Sequence, residues 1–349
     1  MNKDLRLQLH IPQPIIQLFF LLVCIPLWSC EEKEAHLSYG YFASEARRPT
    51  SEERQALKET QNIHKIYIPA FEVDWDWRSS APIPLHSSKI NYDVYPPGYV
   101  CVPVIKVSSR VLEKLSPADL NQLAEQFTLR IQSLTKEDKL KEILLEFTWT
   151  EETYGSYSNL IQQIKSKLPV SIGISIPLHY FRHYATTGVP PADYIVLQLH
   201  NELALHEISE NASIISPHLL QPWLMPFSQY PLSIEVVIPG GTWGIVIREN
   251  EPLKILPALR REMFDDPYAF RFLDEFLIKV QRDTYFQGYY FKKGDFIRLD
   301  VIRLIEFKEV LQLIRPFITM DTLQLNLLQV GPEGKAHLPL DSLQSWMNE

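Results

Sequence analysis

At 349 residues, 46% hydrophobic and 22% charged, the chain has the balance of one large globular domain or two small ones, not of a disordered or fibrous protein. Its net charge of −8 argues against nucleic acid as the main partner, because phosphate binding needs a basic face. Three cysteines are too few for a disulfide framework.

The N-terminus carries the most specific motif. Lys3 and Arg6 form a short basic region, and Ile15 to Trp28 is an apolar run with Gln17 as its one polar member. The run is too short for an ordinary membrane span. It ends in Leu27-Trp28-Ser29-Cys30, which resembles the lipobox of bacterial lipoproteins. That resemblance implies a signal peptide over residues 1–29 and a lipid on Cys30; an ordinary signal peptide or membrane anchor is the alternative. Glu31-Glu32-Lys33-Glu34 resembles the surface-export signal of lipoproteins from Bacteroidetes-type bacteria. The expected location is therefore the cell envelope, at the outer membrane. With Cys24 lost and Cys30 lipidated, Cys101 stands alone in an apolar strand, and no cysteine-built metal site is available.

Residues 30–62 are polar and read as a tether, with Arg47 to Glu59 as a short helix. Lys65 to Trp77 reads as the first strand; Glu72, Asp74 and Asp76 fall on one face of it, because side chains alternate along a strand. Tyr99 to Val107 is the second, with Lys106 near its C-terminal end. Ser116 to Leu134 has helical spacing, with Ser116 at the N-cap and Pro117 in the first turn. Lys141 to Thr150 is the third strand. It sets Leu145, Phe147 and Trp149 on one face and Glu146, Thr148 and Thr150 on the other. A helix from Tyr157 to Leu168 follows.

Val170 to Ile176 is a fourth strand, with isoleucines on one face and small residues on the other, the pattern of a barrel wall with small residues inward. Ala192 to Asn201 is a fifth, placing Gln198 and His200 inward; Pro231 to Pro239 is a sixth, with Glu235 inward. Leu256 to Arg282 reads as helix, broken near Pro267. Tyr289 to Ile302 reads as a hairpin turning at Lys293-Gly294-Asp295, or as a seventh strand with an insertion. A helix from Glu306 to Ile314 and a strand from Thr322 to Leu328 complete eight candidate strands. Together these predict an α/β fold, a (β/α)8 TIM-type barrel over residues 63–330 that is irregular in its C-terminal third, and a tail over 331–349.

Three stretches carry a further resemblance. Leu144-Leu145-Glu146-Phe147-Thr148-Trp149-Thr150 sits where chitinase-like glycoside hydrolases have an Asp-x-Asp-x-Glu strand. Asp193 to His200 and Pro239 to Gly244 resemble a later strand and rim of the same enzymes. The chain is also similar to an uncharacterised family of bacterial barrel proteins, through Pro103 to Lys106, Glu146 to Thr150, Val196 to His200 and Ile238 to Gly241. The resemblance implies a glycosidase-like barrel acting on or binding a glycan. It also sets a departure: Glu146 matches the first acid, while Thr148 and Thr150 stand where two acids belong. A threonine hydroxyl has no accessible pKa for general acid work near neutrality.

If the inward assignments hold, Asp74, Lys106, Glu146, Thr148, Gln198, His200 and Glu235 line the C-terminal mouth of the barrel, where such folds place their sites. Glu146 and Glu235 are the acid/base candidates and His200 a further base. Trp75, Trp149 or Trp243 would stack on a sugar ring. The competing reading is a buried polar network in which Lys106 satisfies Glu146 or Glu235. No cofactor or metal set is expected. An inert scaffold that binds an envelope protein is the alternative to a glycan partner.

Overall fold

The computed structural model describes residues 36–43, 63–95, 98–200, 213, 215–240, 242–257, 259–318, 322–328, 342–343 and 345–346. The expected signal peptide, Cys30 and the helix at Arg47–Glu59 lie outside them.

Eight of the described strands close a parallel barrel. In chain order they begin with β1 (His36–Phe42) and β2 (Ile63–Asp76); β3 (Ala81–Leu85) is an antiparallel flap on β2. Then come β4 (Val100–Val107), β5 (Glu142–Phe147), β6 (Ser171–Pro177), β7 (Tyr194–Gln198) and β8 (Ser233–Pro239). The sheet runs β1-β16-β8-β7-β6-β5-β4-β2, where β16 is Thr322–Leu328, and β1 pairs with β2 to close it. Between the strands lie α1 (Ser109–Lys114), α2 (Leu120–Leu134), α3 (Tyr154–Lys167), the short α4 (Leu178–Arg182), α5 (Tyr184–Thr187) and α6 (Pro217–Leu220), and finally α7 (Leu304–Ile314). Among the described residues no helix is long and apolar enough to cross a membrane.

Two expectations need correction. The first barrel strand is not Lys65–Trp77 but β1, inside the stretch read as a tether. Leu37, Tyr39 and Tyr41 pack outward into the main core, while Gly40 faces in. A Cβ on Gly40 would lie 2.0 Å from Asn326 Oδ1, so the barrel closes around a missing side chain. The stretch Leu256–Arg282 is not helical either. It belongs to an antiparallel insert that leaves the barrel at the end of β8. The insert contains β9 (Thr242–Arg248), β10 (Glu251–Pro257), β11 (Phe270–Phe272), β12 (Leu277–Val280), the hairpin β13–β14 (Thr284–Phe286 and Tyr289–Phe291) and β15 (Phe296–Val301).

Turn chemistry makes the insert. Glu249 and Asn250 both have positive φ, 54° and 65°, which joins β9 to β10 by a two-residue turn matched to strand twist. Asp274 accepts from the backbone N–H groups of Phe276 and Leu277, and Asp266 from those of Tyr268 and Ala269. These side-chain bonds offer the backbone an alternative to helix. Lys292–Asp295 does turn the chain, but β14 pairs with β13 and β15 with β9 and β12, so the two flanking strands do not form a hairpin together.

The wall alternates as β6 predicts. Ile172, Ile174 and Ile176 are fully buried in the outer core with Leu145, Phe147, Ile195, Leu197 and Val236. A smaller apolar cluster fills the barrel itself: Phe42, Tyr67, Val102, Val104, Leu144, Tyr194, Val196 and Val237. Phe42 stacks on Tyr67 at 4.2 Å with 8° between the rings.

Candidate functional site

The apolar plug divides the inward polar residues into two layers. The lower one, at the N-terminal ends of the strands, is a closed network. Lys65 Nζ donates to Glu142 at 2.7 Å and to Glu235 at 2.6 Å. Tyr67 donates to the other oxygen of Glu235, Asn326 Nδ2 reaches it at 3.1 Å, and Tyr194 donates to Glu142 at 3.0 Å. Burial alone would lower the Lys65 pKa; Glu235 first, and Glu142 with it, outweigh that and hold it above the ordinary lysine value. Burial, then the charge of Glu235, push the Tyr67 hydroxyl well up. Tyr194 crosses the interior because β6 offers no side chain at Gly173, where a Cβ would meet its ring at 2.4 Å.

Glu235 is therefore not at the mouth. It is tied through Lys65 to Glu142, and Glu146 lies four residues further along β5, about 13 Å at strand rise. Val104 and Leu144 stand in register between the two levels. The lysine that satisfies the buried carboxylates is Lys65, not Lys106.

The upper layer is open. Glu72, Lys106, Glu146 and Ser175 are cross-strand neighbours on β2, β4, β5 and β6. Gln198 closes the row by donating from Nε2 to Ser175 Oγ at 2.8 Å. Lys106 is exposed, Glu72, Glu146 and Gln198 are half-buried, and Ser175 is buried beneath Gln198. Burial raises the Glu146 pKa; Lys106 opposes the rise and Glu72 adds to it. Among the described residues no hydrogen bond reaches the Glu146 carboxylate. Glu72, placed on the same face as Asp74 by the sequence, and Ser175, on the small-residue face of β6, were not named as site residues, although the alternation that placed Asp74 and Gln198 inward places these two as well.

The remaining candidates scatter. Asp74 lies where β2 runs past the barrel beside β3, and Arg110 Nη2 holds it at 2.5 Å. Its pKa is lowered: burial works against the charge, but the Trp75 N–H, Ser108 and Arg110 together prevail. Trp75 is half-buried on that flap. Thr148 is half-buried just past the end of β5 and His200 just past the end of β7. Thr150 is exposed and exchanges bonds with Thr153 (2.8 Å from its own N–H to Thr153 Oγ1), which builds the turn into α3.

Two tryptophans leave the site altogether. Trp149 is 3% exposed among Tyr154, Tyr157 and Tyr180, and its Nε1 donates to the Thr187 carbonyl at 2.6 Å. Trp243 is buried in the core, and its Nε1 has no partner among the described residues. Trp77 is the exposed tryptophan among the described residues. It is 62% exposed at the turn from β2 to β3, on the mouth side, with Lys114 Nζ 5.4 Å from its ring.

No family model matches the chain, and no curated protein does. Solved structures share the fold. The spore cortex-lytic enzyme SleL of Bacillus cereus matches with a TM-score of 0.54 and 13% identity, over 90% of this chain and 75% of that one. The C-terminal domain of a putative chitinase from Desulfitobacterium hafniense DCB-2 matches with a TM-score of 0.53 and 11% identity, over 90% and 99%. At such identities the likeness establishes a TIM-type barrel fold and nothing finer.

Proposed function

We propose that this chain is a lipid-anchored envelope protein whose barrel binds a glycan at its C-terminal mouth. The observation that carries the reading is the row of Glu72, Lys106, Glu146, Ser175 and Gln198 on adjacent strands. Carboxylates, an ammonium and an amide that the buried Ser175 orients match the alternating donors and acceptors of a sugar face. Trp77 supplies an exposed flat ring on the same end of the barrel, five residues beyond Glu72 on the flap. One of the similar barrels is described as a putative chitinase domain, which lends the reading its substrate class. The anchor rests on Leu27-Trp28-Ser29-Cys30 and the apolar run before it.

Hydrolysis is a second reading, favoured by one observation: the raised pKa of Glu146 suits a general acid. Its partner would be Glu72, two strands away, with backbones about 10 Å apart. That leaves room for a water between the carboxylates, the inverting arrangement. Glu235 takes no part in this chemistry.

The test is to incubate the mature chain with bacterial and host polysaccharides, scoring retained glycan and, by mass spectrometry, released oligosaccharides. Retention lost in Glu146→Gln supports the binding site, and release lost in the same variant supports hydrolysis. Neither retention nor release from any glycan would favour a protein-binding scaffold. For the anchor, labelled fatty acid should enter the wild type and not Cys30→Ala. Protease shaving of intact cells, with complete protection of the protein, would reject surface exposure.

A further inference from the structure

We infer that the anchored protein holds the N-terminal face of its barrel against the bilayer and opens its mouth away from it. The inference rests on the lipid-anchor reading and deepens it. β1 begins at His36, six residues after Cys30. Six residues reach at most about 21 Å, whatever course they take. β1 runs parallel to its neighbours β2 and β16, so His36 lies at the N-terminal end of the wall. β1 itself is seven residues long, a rise of about 23 Å. To lay the mouth on the membrane, the chain would have to pass outside the surrounding helices and climb that whole wall. The tether is too short for both. A tether of residues 30–62 would have imposed no such limit.

Charge agrees with the geometry. At the N-terminal face Lys141 and Lys167 are exposed, while Lys136 pairs with Asp93, Lys139 with Asp138 and Lys165 with Asp193, with Glu137 beside them, a small basic excess. Lysines near an anionic leaflet are attracted to it. The mouth carries Glu72, Asp74, Asp76, Glu146, Glu151 and Glu152 against Arg78, Lys106, Arg110 and Lys114, a small acidic excess. The site would then receive glycans arriving from beyond the protein, not sugar headgroups of the bilayer that holds it.

The experiment uses the full-length lipidated protein in vesicles of anionic and zwitterionic lipid, with an acceptor dye on the headgroups. A donor dye is attached to Asp138→Cys at the N-terminal face or Arg78→Cys at the mouth. The native Cys101 is buried, its thiol pushed up to about 11, and does not compete for the label. Energy transfer should be several-fold stronger from position 138 than from 78. A flexible twenty-residue Gly/Ser insertion between Glu34 and Ala35 should erase most of that difference. Equal or reversed transfer in the uninserted protein would overturn the orientation while leaving the anchor standing. So would a difference that the insertion leaves unchanged. Mass spectrometry showing no lipid on Cys30 would remove the anchor and the orientation together.

Discussion

Glu146 and Glu235 are the same residue type on the same inner wall, yet they live in opposite circumstances. Glu235 meets a lysine, a tyrosine and an asparagine and is 9% exposed. Glu146 has a lysine in the next strand and no hydrogen bond among the described residues. A buried charge must be paired, so the base of the barrel is satisfied by its own residues and has little left to offer a ligand. The mouth keeps its polar groups under-used, and an under-used group is one that a ligand can engage. An inward carboxylate is thus a site candidate only after its partners have been counted.

The largest effect should come from breaking the base. Lys65→Met leaves Glu142 and Glu235 facing each other without a cation and should cost about 3–5 kcal/mol in denaturant unfolding. A loss below about 1 kcal/mol would mean that the network is not what holds this end together. Gly173→Ala forces a Cβ into the Tyr194 ring and should cost about 1–3 kcal/mol, with the hydroxyl of Tyr194 displaced from Glu142. Unchanged stability would show that the ring has room to move.

At the mouth the expected stability change is small and of opposite sign. The folded pKa of Glu146 is raised, so the native state binds more protons than the unfolded chain there. That contribution is present below the ordinary glutamate value of ~4.3 and is lost as pH rises through the raised value. Glu146→Gln should therefore flatten part of the decline in stability over that window, and leave the protein as stable as the parent or slightly more so at neutral pH. A steeper decline in the variant would contradict the assignment. Smallest of all, Arg110→Ala removes a half-exposed partner of Asp74 and should change stability by about 0–1 kcal/mol, which confines that pair to the rim.

The barrel was legible where period-two alternation is unbroken, as in β6, with Ile172, Ile174 and Ile176 outward and Ser171, Gly173 and Ser175 inward. β1 carries the same alternation in Leu37, Tyr39 and Tyr41, but its inward positions are Ser38 and Gly40, and its surroundings are polar, so it passed for tether. The insert was misread because the apolar residues between Leu256 and Arg282 mimic helical spacing, while the backbone bonds to Asp266 and Asp274 that stop a helix are visible only in three dimensions. Inward direction at Glu146, Gln198 and Glu235 followed from alternation. Depth did not, because it depends on how the strands are staggered around the barrel, and stagger leaves no mark on a single strand.

The most direct test titrates one captured glycan into the parent protein, Glu146→Gln and Lys65→Gln by calorimetry, with unfolding measured on each. Glu146→Gln should lose affinity by about ten-fold or more at undiminished stability, as removal of a charged hydrogen-bond partner does. Lys65→Gln should lose stability while its folded fraction binds as the parent does. Parent-like affinity in Glu146→Gln, or lost affinity in fully folded Lys65→Gln, would place the ligand somewhere other than the mouth.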